Sequence, residues 1–273
     1  GMHKVLSTIE YSSEDNQRQE EIIERLPDDL LTSLKAHLHD KYVKREGYTQ
    51  KYWGLEVSAL DEVKRRDYEL MVLRGELFEV LIQNDKELIS EQTAESLELL
   101  SLLQDPARYG LEDELGRIRN PDLAYIELNE EGKIVIKGVG EAKLGLLNER
   151  ALHQLQVFPE SIKSLKNTVN SLRHAKKMGR MGFEGLSKRK QQMDNSGEEG
   201  PFVDIAGDFK ITLIVPSNRD IQGEDGAKNI LGSSLVEHEK DSLEILSGVE
   251  IKKAAFSTEE VAKLTEYLYQ QIE

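Results

Sequence analysis

No cysteine occurs among the 273 residues of the chain. Disulfides and thiolate-bound metals are thereby excluded, and a cytoplasmic setting is the expectation. Long apolar runs are missing too. None approaches the ~18 residues a membrane-spanning helix needs, and Val5-Leu6-Ser7-Thr8-Ile9 is too short for the apolar region of a secretory signal. Positive charge is scarce: the net charge of −15, taken alone, argues against a nucleic-acid binder, because phosphate contacts need cations. What is abundant is charge as such. With 32% charged and 38% hydrophobic residues, the chain reads as a helix-rich soluble globule with solvated outer faces, long enough to bury a sizeable core.

The distribution of charge qualifies its sum. Between Ser161 and Gln192 lie nine basic residues, Lys163, Lys166, Arg173, Lys176, Lys177, Arg180, Lys188, Arg189 and Lys190, opposed only by Glu184. They could form a solvated helix face or a phosphate-binding one; phosphate contact is the expectation carried forward.

Residues 1–57 read as a polar helical extension, with Pro27 opening a helix that carries Leu30, Leu31, Leu34 and Leu38. His37 and His39, two apart on that helix, point in different directions. Tyr52-Trp53-Gly54 is expected to pack rather than to stack on bases. Residues 58–273 are expected to form the main α/β domain. Ser58 to Gln83 has helical spacing in Val63, Leu70, Leu73, Leu77 and Leu81, and Asp85 to Gln104 gives a second helix. Leu147–Val157 is expected to stop at Pro159, where a new helix starts. The glycine- and lysine-containing stretch 179–201 is expected to be a mobile loop. Phe209–Val215 and Val249–Phe256 read as strands, and Ser257-Thr-Glu-Glu260 as the capping box of a last helix.

The most informative stretch is Asn120–Val157. Two apolar runs, Leu123–Leu128 and Lys133–Val139, flank Asn129-Glu130-Glu131-Gly132 and predict an antiparallel hairpin. With Asn129 opposite Gly132, Asp122 falls opposite Val139 and diagonal to Glu141, about 7–8 Å away on the same face. Glu141 and Lys143, two apart on a strand, share that face. Gly138 and Gly140 directly before the acid suggest a bulge or the close approach of another backbone. Pro121-Asp122 followed by Glu141-Ala142-Lys143 resembles the PD-(D/E)xK nuclease superfamily. The tripeptide recurs as Glu62-Val-Lys64, Glu131-Gly-Lys133, Asp208-Phe-Lys210 and Glu250-Ile-Lys252, so its context carries the resemblance: the end of a β run, and a helix following.

The resemblance implies a restriction-endonuclease-like αβββαβ core, a central mixed sheet flanked by helices, provided that one more strand lies within 111–122. It implies Mg²⁺ or Mn²⁺ held by Asp122, Glu141, the Ala142 carbonyl and a helix acid. Glu79 is preferred over Glu76 for that acid, from Gly75-Glu-Leu-Phe-Glu79. It also implies that Lys143 orients water or offsets charge on phosphate, that Gln154 supports the site from the next helix, and that DNA is the partner, with a homodimer allowed. The expected function is a Mg²⁺-dependent DNA endonuclease of restriction or repair type. The alternatives are a catalytically inactive relative of the same fold, acting in nucleic-acid binding or assembly, and a helical interaction protein with an incidental sheet.

Overall fold

The structure is a computed structural model. It describes residues 61–85, 87–88, 92–115, 121–223 and 225–272, together with the short paired strands β1 (Lys51–Tyr52) and β2 (Leu55–Glu56) and scattered helical positions between 17 and 36. The expectations for His37, His39, Trp53 and most of the N-terminal extension fall outside the described residues. The chain divides into two compact units, Gly1–Leu77 with Phe256–Glu273, and Phe78–Ala255. The expected boundary at 57/58 lies outside the described residues.

The division has a physical cause in the first unit. Helix α1 (Glu62–Gln83) begins there, and the chain returns at its end as the last helix, Thr258–Ile272. The Tyr269 hydroxyl donates to the buried Glu69 carboxylate, and the Arg66 guanidinium lies 5.5 Å from the Tyr269 ring centroid. The expected capping box forms, Ser257 Oγ accepting the Glu260 N–H at 3.1 Å. Leu70, Leu73, Val261, Leu264 and Leu268 are buried.

The second unit is mixed α/β, built on a four-stranded open sheet in the order β3-β4-β5-β6. Its strands are β3 (Leu123–Leu128), β4 (Ile134–Ala142), β5 (Val203–Val215) and β6 (Val249–Lys253). The hairpin β3–β4 is antiparallel, and β5 and β6 join parallel. The strand sought within 111–122 is not found among the described residues. Helix α3 (Glu112–Leu115) stands there instead, and β6 supplies the fourth strand at the opposite edge.

Three other expectations are corrected. The hairpin register is longer by one residue at the turn, Leu128 facing Ile134. It slips once more at a bulge beside Tyr125, so that Leu123 faces Gly140. Pro159 does not end a helix: α4 (Glu149–Ser171) runs through it. Leu152, Leu155, Phe158, Ile162, Leu165 and Val169 form one uninterrupted buried stripe at helical spacing, and burial of that stripe outweighs one lost hydrogen bond. The stretch 179–201 is largely helical. The chain here forms α5 (Ala175–Arg180) and α6 (Glu184–Ser196), and α6 packs against α2 (Ala94–Gln104). Leu186 and Met193, seven apart, bury one sparse stripe. The Glu98 carboxylate of α2 accepts the Gly185 and Leu186 N–H groups at 2.8 and 2.7 Å, capping α6 from outside.

Between β5 and β6 the chain forms α7 (Glu239–Ser247), and Thr258–Ile272 is α8. Val139, Ile211, Leu213 and Val215 of the sheet share one core with Leu155, Phe158, Ile162 and Leu165 of α4 and with Leu99, Leu102 and Leu103 of α2. Among the described residues no helix is long and apolar enough to cross a membrane.

Candidate functional site

The hairpin exists because its turn is chemically specified. Asn129 Oδ1 accepts the Lys133 N–H at 2.6 Å, and Gly132 takes φ +96°. From that turn the strands run to the end where Asp122 and Glu141 meet. The Asp122 N–H donates to the Gly140 carbonyl at 2.9 Å, and Asp122 Oδ2 accepts the Ala142 N–H at 2.8 Å. The acid of one strand is therefore beside the acid of the next, closer than the diagonal first expected.

Gly138 makes this register attainable. A Cβ there would stand 2.4 Å from the Lys210 carbonyl oxygen of β5. The ladders slip at the same place, β5 pairing through Ile205 with Ile136 and through Lys210 with Gly138. The double slip leaves Lys137 outside the regular pairing, where it bonds Asp208 at 3.0 Å.

Glu141 is 4% exposed. Burial pushes its carboxyl up strongly, to about 9, and the neighbouring Asp122 charge pushes the same way; Lys143 opposes and Glu79 adds to the rise. Burial also raises Asp122, to about 6, against the lowering effect of the Ala142 N–H, the Glu141 hydrogen bond and Lys143. The two carboxyls are in hydrogen-bonding contact, and they titrate as a pair that shares a proton near neutrality. With both ionised, neither can donate, and Glu141 Oε2 is buried without a hydrogen-bond partner. Such a pair needs either a proton or a cation between its oxygens.

Lys143 Nζ lies 3.7 Å from Glu141 Oε1, with its side chain 34% exposed. The other acid-x-Lys tripeptides have ordinary structural duties. Lys252 and Glu250 form a pair at 3.8 Å, but its acid is 45% exposed, against 6% for the side chain of Glu141. Asp208 holds Lys137, Lys133 reaches Asp204 at 3.7 Å, and Lys64 sits in a first helical turn near Asp61. The spelling is shared; the burial is not.

Glu79, half-buried on α1 within the second unit, is near enough for its charge to raise the Glu141 pKa. Glu76 belongs to the first unit. Gln154 is half-buried on α4. Two side chains at this end escaped the sequence reading. Gln83 donates to the Asp122 carbonyl at 3.2 Å, and Arg219 donates to the Leu144 carbonyl at 3.2 Å, next to Lys143. Gln83 stands four residues after Glu79 on the same helix face, a spacing that could have flagged it. Arg219 lies beyond a strand, and nothing in the sequence joins it to Lys143.

The nine basic residues divide. Lys166 pairs with Asp204 at 3.3 Å, Arg189 with Glu95 at 3.1 Å and Lys190 with Asp194 at 2.8 Å. Lys163, Arg173, Lys176, Lys177, Arg180 and Lys188 are exposed. They do not cluster around the acid pair, as their closeness in sequence suggested. Asn170 near the end of α4 bonds both the N–H and the carbonyl of Val203, which faces Ile134 at the start of β4. Gln192 of α6 donates to the Glu130 carbonyl in the hairpin turn. The basic helices thus stand at the turn end of β4, and the acids at its other end.

Hard oxygen donors with one buried unpartnered oxygen suit Mg²⁺ or Mn²⁺. Asp122 and Glu141 are the side chains that would hold such an ion. Among the described residues no three Asp, Glu, His or Cys side chains converge on one point, so water would complete the coordination of such an ion. In comparisons with known proteins, no family model matches the chain, and no curated protein and no solved structure matches it.

Proposed function

We propose that Asp122, Glu141 and Lys143 form the centre of a divalent-metal-dependent hydrolase that cuts nucleic-acid phosphodiester bonds, a DNA endonuclease of restriction or repair type. One observation carries the reading. Two acids nineteen positions apart meet at one strand end, one of them buried with an open oxygen, and an ammonium stands 3.7 Å away. A structural ion pair would not bury Glu141 beside a second carboxyl at the cost of raising both pKa values.

In this reading Asp122, fixed by the Ala142 N–H, and Glu141 hold the metal, and the Ala142 carbonyl and Glu79 are further candidate ligands. The bound cation supplies neutralisation of charge and a more acidic water, worth several kcal/mol of barrier. Lys143, partly exposed, orients the water or stabilises the developing phosphate charge. Gln83 ties the backbone of Asp122 to α1, and Arg219 ties that of Leu144 to the segment after β5. Gln154 remains a candidate support from α4.

The second reading keeps the acid pair and drops cleavage, giving a nucleic-acid-binding or assembly protein. It is favoured by the lack of a third convergent acid among the described residues. Nicking of supercoiled plasmid with Mg²⁺ or Mn²⁺, compared between the unmodified protein and Asp122→Ala and Lys143→Ala, separates the two. Metal-dependent nicking lost in both variants supports hydrolysis; no nicking with either metal supports the second reading.

A further inference from the structure

We infer that α5 and the N-terminal half of α6 form a docking face for the phosphate backbone of a nucleic-acid duplex, which must extend from the acid pair along the length of β4 to reach it. This rests on the phosphodiesterase reading for the nature of the partner, and on the placement of charge for everything else.

Charge is segregated at the turn end of the sheet. The Ser187 hydroxyl of α6 donates to the Ala175 carbonyl of α5 at 2.7 Å, so Lys188 and Lys176 each adjoin a residue of that contact. Met178 is the buried residue of α5, while Lys176, Lys177 and Arg180 are exposed. Arg173, exposed just before α5, holds φ +52°, and His174 beside it is also exposed. Among the described residues, none of Arg173, Lys176, Lys177, Arg180 and Lys188 has an acidic partner at salt-bridge distance. Several acids of this end lie away from these cations. Glu130 and Glu131 are in the hairpin turn, whose carbonyls bond Gln192 and Ser196 in the C-terminal half of α6; Glu198 and Glu199 follow that helix. At the N-terminus of α6 stand Glu184 and the Glu98 carboxylate of α2, which is engaged by the Gly185 and Leu186 N–H groups, while Glu95 is taken up by Arg189. In a chain of net charge −15, an unneutralised group of cations is a specific attraction for a polyanion and a repulsion for acidic neighbours of its own kind.

Distance sets the kind of polyanion. β4 is nine residues long, so its ends are roughly 25 Å apart at strand rise. A nucleic-acid strand advances about 3.4 Å per nucleotide, so the separation corresponds to about seven or eight base pairs. A stiff duplex holds that separation without an ordering cost, whereas a short oligonucleotide cannot touch both ends.

The test uses the full chain in EDTA, with fluorescence anisotropy on labelled DNA duplexes of about 6 and about 24 base pairs between about 50 and 200 mM salt. The inference expects the long duplex to bind at least about tenfold tighter than the short one. Lys176→Glu/Lys177→Glu/Arg180→Glu should weaken the long duplex about tenfold or more and make the log–log salt slope shallower by roughly 2–3. The neutral Lys176→Gln/Lys177→Gln/Arg180→Gln protein should show the same slope change with an unaltered circular dichroism melt. Glu250→Gln, in an exposed pair outside both regions, should bind as the unmodified protein does. Equal binding of both lengths, unchanged binding by both triple variants, or binding to phosphatidylserine vesicles or polyglutamate but not to duplex would each overturn the inference. If the triple variants lose binding while the unmodified protein never nicks plasmid, the docking face stands and the nuclease reading fails. If nicking proceeds unaltered in the triple variants, the reverse holds.

Discussion

Asp122 Oδ2 accepts the Ala142 N–H at 2.8 Å, which places an acid of one strand against the backbone of the residue that follows Glu141 on the next. This single bond sets Asp122 beside Glu141, and burial raises the pKa of both carboxyls. The consequences can be measured.

The first concerns pH. Both carboxyls have folded pKa values above their unfolded ones, about 6 and about 9 against values near 4. The sign follows: the unfolded state releases these protons first, so their contribution to stability is complete below about pH 4 and is lost as pH rises through the folded values. Melting temperature in EDTA should fall from pH 5 to about pH 9. The Asp122→Asn/Glu141→Gln double variant should show a flatter profile. Mn²⁺ should raise the melting temperature more at about pH 8 than at about pH 6, since it replaces the shared proton.

A matched pair of substitutions separates buried from exposed acid. Glu141→Gln should reduce metal-dependent nicking by about 100-fold or more. Glu250→Gln, in the same spelling but an exposed pair, should leave it unchanged and shift stability by about 0–1 kcal/mol at most. Plasmid nicking and urea denaturation of both variants give the comparison.

Gly138→Ala would bring a Cβ to 2.4 Å from the Lys210 carbonyl. Two paired backbones cannot move apart without losing ladder bonds, so a loss of about 1–3 kcal/mol is expected in denaturant unfolding. Activity should fall with it, because the register carrying Glu141 to Asp122 depends on that slip.

Glu98→Ala removes the acceptor of the Gly185 and Leu186 N–H groups. Loss of this cap should cost about 1–2 kcal/mol, and hydrogen exchange should quicken first in α6. If 179–201 were an unstructured loop, the substitution would leave exchange there unchanged.

Much of the fold could be read from local pattern. The strands of the hairpin, the β5 run from Phe209, the last helix with its Ser257 cap, and the meaning of Gly138 are all local facts: alternation, capping and missing side chains show in a few adjacent residues. The slips near Gly138 were foreshadowed as a bulge, but their number was not, because pairing depends on two strands separated by sixty residues or more. Pro159 and α6 misled for one reason. A proline and a lysine-rich stretch are poor local signals for helix, and the buried stripes of α4 and α6 overrule them only once α2 and the sheet are in place.

The sequence by itself determined that one hairpin would end in an acid on each strand, with an ammonium two residues beyond the second, because strand alternation and turn chemistry act within a few residues. Tertiary structure decided which of five acid-x-Lys tripeptides would be buried, by packing α2 and α4 against the Glu141 face and leaving Glu250 in solvent. It also decided that the basic helices would stand at the far end of β4, because α4 carries the chain back along the strand before they begin. Closeness in sequence could not reveal that distance; a helix of 23 residues set it.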